Sequence, residues 1–264
     1  MNEEQYNKIQ NASRKNWQAR AYLDSRFGTS RNGWNRWVFE QIAFPPCAKI
    51  LELGCGSAEL WTRNADRLPN NAVVILSDLS QKTLAHTKQA LGPKAWRFEF
   101  FVVDAEQTPF ADALFDIVIA NRMLYFTNLN QSLPEISRVL KPGGRLYAAT
   151  VGRENMQEII ELYFNFFCAQ DRTRRTVADI FGLDNGCDVL KRFFSKAEVR
   201  RFANELLVTE SEPLVEYMRT AQSIDSSHLT PAGIKKFRDY LNSLIRKQGC
   251  IRITKDAGLL VGEK

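Results

Sequence analysis

The sequence predicts an α/β protein with a doubly wound, mostly parallel sheet and helices on both faces. Two observations predict it. From about residue 46 to residue 150, short apolar or β-branched runs alternate with helical stretches at strand–helix–strand spacing. Glycines or acids close several of those runs. Right-handed crossovers bring the carboxyl ends of all such strands to one edge of the sheet, where ligands bind.

Residues 1–45 read as a helical, aromatic-rich lead-in that carries Tyr22, Phe27, Trp34, Trp37 and Phe39, is broken at Gly28 and Gly33, and ends at Pro45 and Pro46. Lys49 to Leu53 is a short apolar run closing at Gly54, a buried strand. Ala58 to Arg67 has helical character, and Ala72 to Leu76 is a second strand. Ser80 to Leu91 reads as a helix with Ser80 as its N-cap. Arg97 to Val103 and Phe115 to Ala120 are the third and fourth strands. Ser132 to Leu140 reads as a helix in which Ser132 and Glu135 have capping-box spacing. Pro142, Gly143 and Gly144 turn into a fifth strand, Arg145 to Thr150.

The alternation then stops. Glu154 to Cys168 looks like an amphipathic helix rich in aromatics, and 169–196 is irregular. Glu198 to Phe202 reads as a sixth strand, and Pro213 to Thr220 and Pro231 to Lys247 as helices. Cys250 to Thr254 and Leu259 to Val261 read as a closing hairpin or a bent final strand. The expected organisation is a lead-in or lid over 1–45, a ligand-binding core over 46–150, a cap insertion over 151–196, and a completing segment over 197–264.

Composition narrows the classes of function. With 264 residues, 44% hydrophobic and 25% charged, the chain has the mixture of an ordinary globular protein with a sizeable core. The net charge of +6 suits an anionic acceptor, nucleic acid or a membrane surface. The basic residues are nevertheless spread out. The densest clusters, Arg172 with Arg174 and Arg175, and Lys235 with Lys236 and Arg238, lack the run length of a nucleic-acid tail. Five cysteines without a CxxC pair and only two histidines argue against a zinc site. Met1 to Gln10 has no apolar signal core, and no stretch approaches the ~18 apolar residues of a membrane span. The cytoplasm is the expected compartment.

The chemistry-bearing residues lie at strand ends. Ile50-Leu51-Glu52-Leu53-Gly54-Cys55-Gly56-Ser57-Ala58 is a glycine-rich strand-to-helix turn. Bare Cα positions let backbone approach a ligand, and the following helix offers free N–H groups. Such a turn also opens nicotinamide-binding domains. Glu52 discriminates: a carboxylate there meets a cation, such as the ammonium of a methionine moiety, and repels a pyrophosphate. Asp78 closes the second strand 26 residues later and can accept both ribose hydroxyls. Asp104 closes the third after another 26 and can accept from an exocyclic amino group such as adenine N6. A fourth signal is Arg138-Val139-Leu140-Lys141-Pro142-Gly143-Gly144-Arg145-Leu146.

Together these motifs resemble the class I S-adenosylmethionine-dependent methyltransferases, especially the small-molecule branch that includes the ubiquinone and menaquinone C-methyltransferases. The likeness is close over about 46–150 and looser beyond. It implies a Rossmann-like fold with a seven-stranded sheet and an acceptor cap, S-adenosylmethionine as methyl donor and S-adenosylhomocysteine as product. It implies that Glu52, Gly54 and Gly56 lie under the methionine part of the donor, that Asp78 holds the ribose, and that Leu79 packs on adenine. Asp104 and Ala105 would contact adenine N6 and N1, and the Asn121 carbonyl would hold the ammonium. One departure is Ala58, where the family often has a third glycine. Gly54→Val is expected to abolish donor binding and leave the chain folded.

Other polar residues have plainer readings. Cys55 is expected to be buried filler, and Asp116, at a strand start, to be structural. His86 lies two turns into its helix and His228 in a tail loop. Tyr125 is the nearest polar candidate for a direct role in transfer, four residues past the fourth strand. The chain reads Asn121-Arg122-Met123-Leu124 there, without the Asn-Pro-Pro-Tyr of base amino-methylation, the paired glutamates of arginine methyltransferases, or the acid of a catechol-type metal site. No metal is expected. Tyr22, Phe27, Trp34, Tyr163 and Phe167 suit an apolar, aromatic or natural-product-like small molecule. Nucleic acid is disfavoured as a partner, and a monomer or homodimer is expected. A methyltransferase acting on nucleic acid or protein, or a non-catalytic donor-binding module, are the alternatives.

Overall fold

The computed structural model describes residues 15, 16, 18–167, 176–221 and 228–264. Met1 to Gln10, Cys168 and the cluster of Arg172, Arg174 and Arg175 lie outside the described residues. Nine strands follow in chain order: β1 (Lys49–Leu53), β2 (Val73–Asp78), β3 (Phe98–Val102), β4 (Phe115–Asn121), β5 (Leu140–Val151), β6 (Lys196–Phe202), β7 (Glu205–Val208), β8 (Ile251–Thr254) and β9 (Ala257–Glu263). The chain divides into two compact units, one of residues 34–153, 177–202 and 257–264, the other of residues 1–33, 154–176 and 203–256.

The first unit holds a seven-stranded sheet in the order β3-β2-β1-β4-β5-β9-β6. From β3 to β5 every pairing is parallel, and β9 runs antiparallel to both β5 and β6. The expected doubly wound, mostly parallel fold is thus present. Strands covered on both faces read as continuous apolar runs, and Ile50, Leu51, Leu53, Val118 and Ile119 are all buried. The strand order reverses between β1 and β4, which makes their carboxyl ends the ligand edge.

Local chemistry sets the helices around the sheet. Ser80 caps helix Gln81–Leu91 by accepting from the Thr83 N–H, as its position implies. Helix Leu129–Val139 differs from expectation. Its cap is Asn128, which accepts from the Asn130 N–H. Ser132 is buried inside the helix, 2.9 Å from the Thr127 hydroxyl, while Glu135 turns to Thr108 and Arg138. The Ser132–Glu135 spacing therefore makes no capping box. β5 also begins earlier than expected, with Leu140 paired to Phe115 ahead of a register shift.

The closing hairpin does not form. β8 pairs with β7 in a two-stranded sheet, while β9 enters the large sheet between β5 and β6. β9 is buried along its length except at its end, and this explains its uninterrupted apolar run. The second unit combines the β7–β8 pair with helices Gln157–Phe167, Ser211–Thr220 and Pro231–Gln248, packed on Leu23, Ile159, Leu206, Leu214 and Phe237. No helix among the described residues is long and apolar enough to cross a membrane.

Candidate active site

The turn from β1 into helix Glu59–Asn64 places alternate residues in the left-handed region: Gly54 at φ +63°, Gly56 at +53° and Ala58 at +51°. The turn is tied to β2 and the next helix. Cys55 N–H donates to the Ser77 carbonyl at 2.8 Å, and Gly56 N–H to Asp78 Oδ2 at 3.3 Å. The Thr87 hydroxyl donates to the Gly56 carbonyl at 2.5 Å. The two glycines serve different ends. A Cβ on Gly54 would lie 3.0 Å from the Met123 side chain, whereas one on Gly56 would meet nothing within 4 Å. Gly54 thus lets the loop after β4 close over β1, and Gly56 presents bare backbone to open space. A side chain at Gly54 would therefore press on Met123 and carry the strain of a left-handed backbone.

Glu52 is 2% exposed, and its Oε2 accepts from Trp61 Nε1 at 2.5 Å. Burial lifts its carboxyl to about 8, against the Trp61 hydrogen bond and with help from the nearby Asp78 charge. A buried, readily protonated acid under a glycine turn is poised to ionise beside a cation. Trp61 was not singled out in the sequence. Its position nine residues after Glu52, inside the helix that the turn starts, was the available signal. Asp78 closes β2, and its two oxygens accept from the Gly56 and Ser80 N–H groups. Burial raises its carboxyl above the ordinary range, opposed by those two bonds.

Leu79, next to Asp78, is 62% exposed. Asp104 follows β3, is exposed, and accepts from the Glu106 N–H at 2.9 Å; Ala105 beside it is buried. A cleft of about 430 Å³ with polar walls of Asp104, Glu106, Gln107, Gln131 and Glu135 opens beside Asp104, and no residue of the glycine turn lines it.

The end of β4 completes this edge. Ala120 pairs with Leu53, so Asn121 emerges beside Gly54. Asn121 Oδ1 is buried and has no hydrogen-bond partner among the described residues. Arg122 takes φ +60°, its N–H donates to the Ala149 carbonyl at 3.1 Å, and its guanidinium lies 4.6 Å from the Trp34 ring centroid. Trp34 stands among Trp37 and Phe202, each 5.5 Å away between centroids. Tyr125 is half-buried in the short turn Leu124–Phe126, its ring edge-on to Phe126 at 4.6 Å.

The remaining residues read from the sequence have varied settings. Tyr22, Phe27, Tyr163 and Phe167 belong to the second unit. Phe27 and Tyr163 are core residues there, Tyr22 is exposed, and Phe167 stacks on His228 with centroids 5.6 Å apart. His86 is exposed on its helix. The Cys55 thiol is buried 3.9 Å from the Thr87 hydroxyl, and burial pushes its ionisation up. Asp116 ties the sheet together, accepting from Lys49 N–H and Lys141 Nζ at the opposite edge. Among the described residues no three His, Cys, Asp or Glu side chains are grouped to hold a metal.

Residues 50–144 match the family model of a methyltransferase domain. Over that segment the chain is similar to methyltransferase domains. The ubiquinone/menaquinone biosynthesis C-methyltransferase UbiE of Geotalea daltonii is 30% identical to this chain over 144 residues, 53% of this chain and 61% of that protein. The corresponding protein of Shewanella frigidimarina is 30% identical over 143 residues, 52% of this chain and 57% of that protein. The chain therefore spans about three fifths of the curated relatives it matches. The crystal structure of a putative methyltransferase from an antibiotic biosynthesis pathway of Anabaena variabilis superposes with TM-score 0.60 at 17% identity, covering 86% of this chain and 95% of that one. That likeness shows the fold.

Proposed function

We propose that the protein transfers a methyl group from S-adenosylmethionine to a small-molecule acceptor by in-line displacement. One observation carries the reading: the carboxyl edge of β1, β2 and β4 gathers a buried acid, a bare-backbone turn, a second acid and an unpartnered buried amide oxygen. The residues fit the donor. Gly56 leaves room for its methionine portion, Glu52 offers charge to its cationic part, and Asn121 brings an unsatisfied acceptor. Asp78 suits the ribose hydroxyls, and Leu79, Asp104 and Ala105 suit adenine. When bound, the donor supplies an already activated sulfonium methyl group. The chain's own task is to orient the acceptor and keep water away. Tyr125, just past the end of β4, and Trp34, whose ring meets Arg122 there, lie in the same unit as the donor residues and are the side chains we assign to the acceptor side.

The acceptor class is supported by the name of the curated relatives, which are C-methyltransferases of quinone biosynthesis. The cytoplasm as compartment and a monomer or homodimer as the working form complete the reading. Calorimetry with S-adenosylhomocysteine, followed by transfer of a radiolabelled methyl group to extracted small molecules, tests it. Failure to bind the product removes the methyltransferase reading. Label appearing only in protein or nucleic acid would replace the small-molecule acceptor.

A further inference from the structure

We propose that the helix Pro231–Gln248 docks the protein on a membrane surface rich in anionic phospholipid, through a basic stripe that it turns to solvent. The proposal stands apart from the methyltransferase reading. The helix packs its apolar side within the second unit, with Phe237 and Leu241 buried and Ile234, Leu244 and Ile245 half-buried beside them. At 3.6 residues per turn, the opposite side carries Lys235, Lys236, Asp239, Ser243, Arg246 and Lys247, and all six are exposed. Lys235 and Lys236 stand three turns from Arg246 and Lys247, so the two basic pairs lie in line along the stripe, about 16 Å apart.

Folding regroups the charges that are neighbours in the sequence. Arg238 leaves the stripe, its Nη2 donating to Glu212 Oε1 at 3.2 Å, while Arg246 and Lys247 join it. Among the described residues, none of the four cations left on the stripe has an ion-pair or hydrogen-bond partner. The edge strand β6 is also basic, yet there Lys196, Arg200 and Arg201 each meet an acid, Glu263, Glu198 and Asp184. Helix polarity accounts for Arg246 and Lys247, which sit in the last turn, but not for Lys235 and Lys236, nearer the positive end. Asp239 offsets one charge and leaves the stripe basic. Unpaired like charges on one face repel one another, and an anionic plane relieves that repulsion.

The make-up of the stripe selects a membrane surface. Phe237 and Tyr240 face the unit's own core, so the stripe holds no aromatic ring to stack on a base. It holds no large apolar side chain to enter the acyl region either. Three of its four cations are lysines, point charges without the guanidinium fork. A row of such charges along an exposed helix suits a plane of headgroups, where clusters of about four to eight Lys or Arg bind anionic lipid.

The test is sedimentation of the full chain with vesicles of phosphatidylcholine alone and of phosphatidylcholine with phosphatidylglycerol in equal parts. Binding to the anionic vesicles should exceed binding to the neutral ones at least about tenfold at about 0.1 M salt. It should vanish at about 1 M, where the Debye length falls from about 10 Å to about 3 Å. Lys235→Gln with Lys236→Gln, and separately Arg246→Gln with Lys247→Gln, should each weaken binding about twentyfold, roughly fivefold per charge. Either pair decides the matter if the other fails to fold. Lys235→Arg with Lys236→Arg keeps the charge and should bind within about twofold of the parent. Arg63→Gln with Lys82→Gln removes two exposed cations from the first unit and should also stay within about twofold, which separates the stripe from the net charge of the chain. Equal sedimentation with both vesicles, or with neither, overturns the proposal, as does a loss in the Arg63 and Lys82 control as large as in the stripe variants. Tighter, stripe-dependent binding to duplex DNA than to the anionic vesicles overturns it in favour of nucleic acid.

Discussion

Gly56→Ala separates ligand contact from backbone strain. Gly56 sits at φ +53°, and an added Cβ would meet no atom within 4 Å. The methyl group therefore costs the fold only its conformation, roughly 1–2 kcal/mol for a left-handed L-residue. The lost freedom of the unfolded chain offsets about 0.4–1 kcal/mol of that. A net loss of about 1 kcal/mol lowers Tm by about 2–4 °C in a chain of this size. Gly143→Ala is the control. It has φ +75° and equally open surroundings, but lies near the start of β5 at the opposite edge of the sheet. Both variants should melt slightly early. Only Gly56→Ala should lose donor affinity, because its methyl group occupies the space the donor needs. Overpacking of that kind costs about 1–3 kcal/mol, roughly five- to a hundredfold in Kd. Thermal unfolding and calorimetry with S-adenosylhomocysteine read the two effects separately. Product affinity within twofold of the parent in Gly56→Ala would refute the assignment of this turn to the donor.

Asp78→Ala should weaken product binding about ten- to a hundredfold through loss of roughly 1.5–3 kcal/mol of charge-assisted contact; unchanged calorimetry would remove Asp78 from the site. Glu52 gives a pH signature. Its folded pKa, about 8, lies above its ordinary 4.5, so its contribution to stability is present below 4.5 and is lost as pH rises to about 8. The cationic donor favours the ionised form, so its affinity should climb from pH 6 to 8 with release of a proton, visible as heats that depend on buffer ionisation; Glu52→Gln should flatten that climb. Excess EDTA should leave turnover intact, because the described residues group no metal ligands and Asn121 stands where an acid would be wanted; a loss restored by magnesium would refute this.

The core of the sheet was legible because both periodicities that matter are local. β1, β2 and β4 are buried on both faces, so each appears as an apolar run, and the residue that closes it falls at the ligand edge by topology alone. Glu52 and Asp78 were found in that way. What the sequence concealed depends on partners distant in the chain. The Ser132–Glu135 spacing matches a cap, yet Asn128 begins the helix and Ser132 faces Thr127. β8 and β9 are separated by only two residues, so a hairpin is the local reading. β9 instead finds two neighbours in the large sheet, which buries far more apolar surface than one hairpin partner could. Met123 over Gly54 and Trp61 on Glu52 are tertiary contacts with no short-range pattern.

The left-handed residues at the ligand edge show why glycine marks only part of the site. The turn needs three such residues in five to swing from strand to helix while keeping the Cys55 and Gly56 N–H groups on β2. Glycine is required where the missing Cβ matters to a neighbour, as at Gly54 against Met123, or where open space must remain, as at Gly56. At Ala58 neither condition holds. Its side chain is 1% exposed within the apolar core, and burying a methyl group contributes about 0.8 kcal/mol, which offsets much of the left-handed cost. The departure from a three-glycine pattern is therefore nearly neutral, and the turn keeps its shape. Arg122 has no such compensation from an apolar core. Its backbone is held by Ala149 and its side chain by Trp34, so its strained conformation depends on contacts at the ligand edge itself.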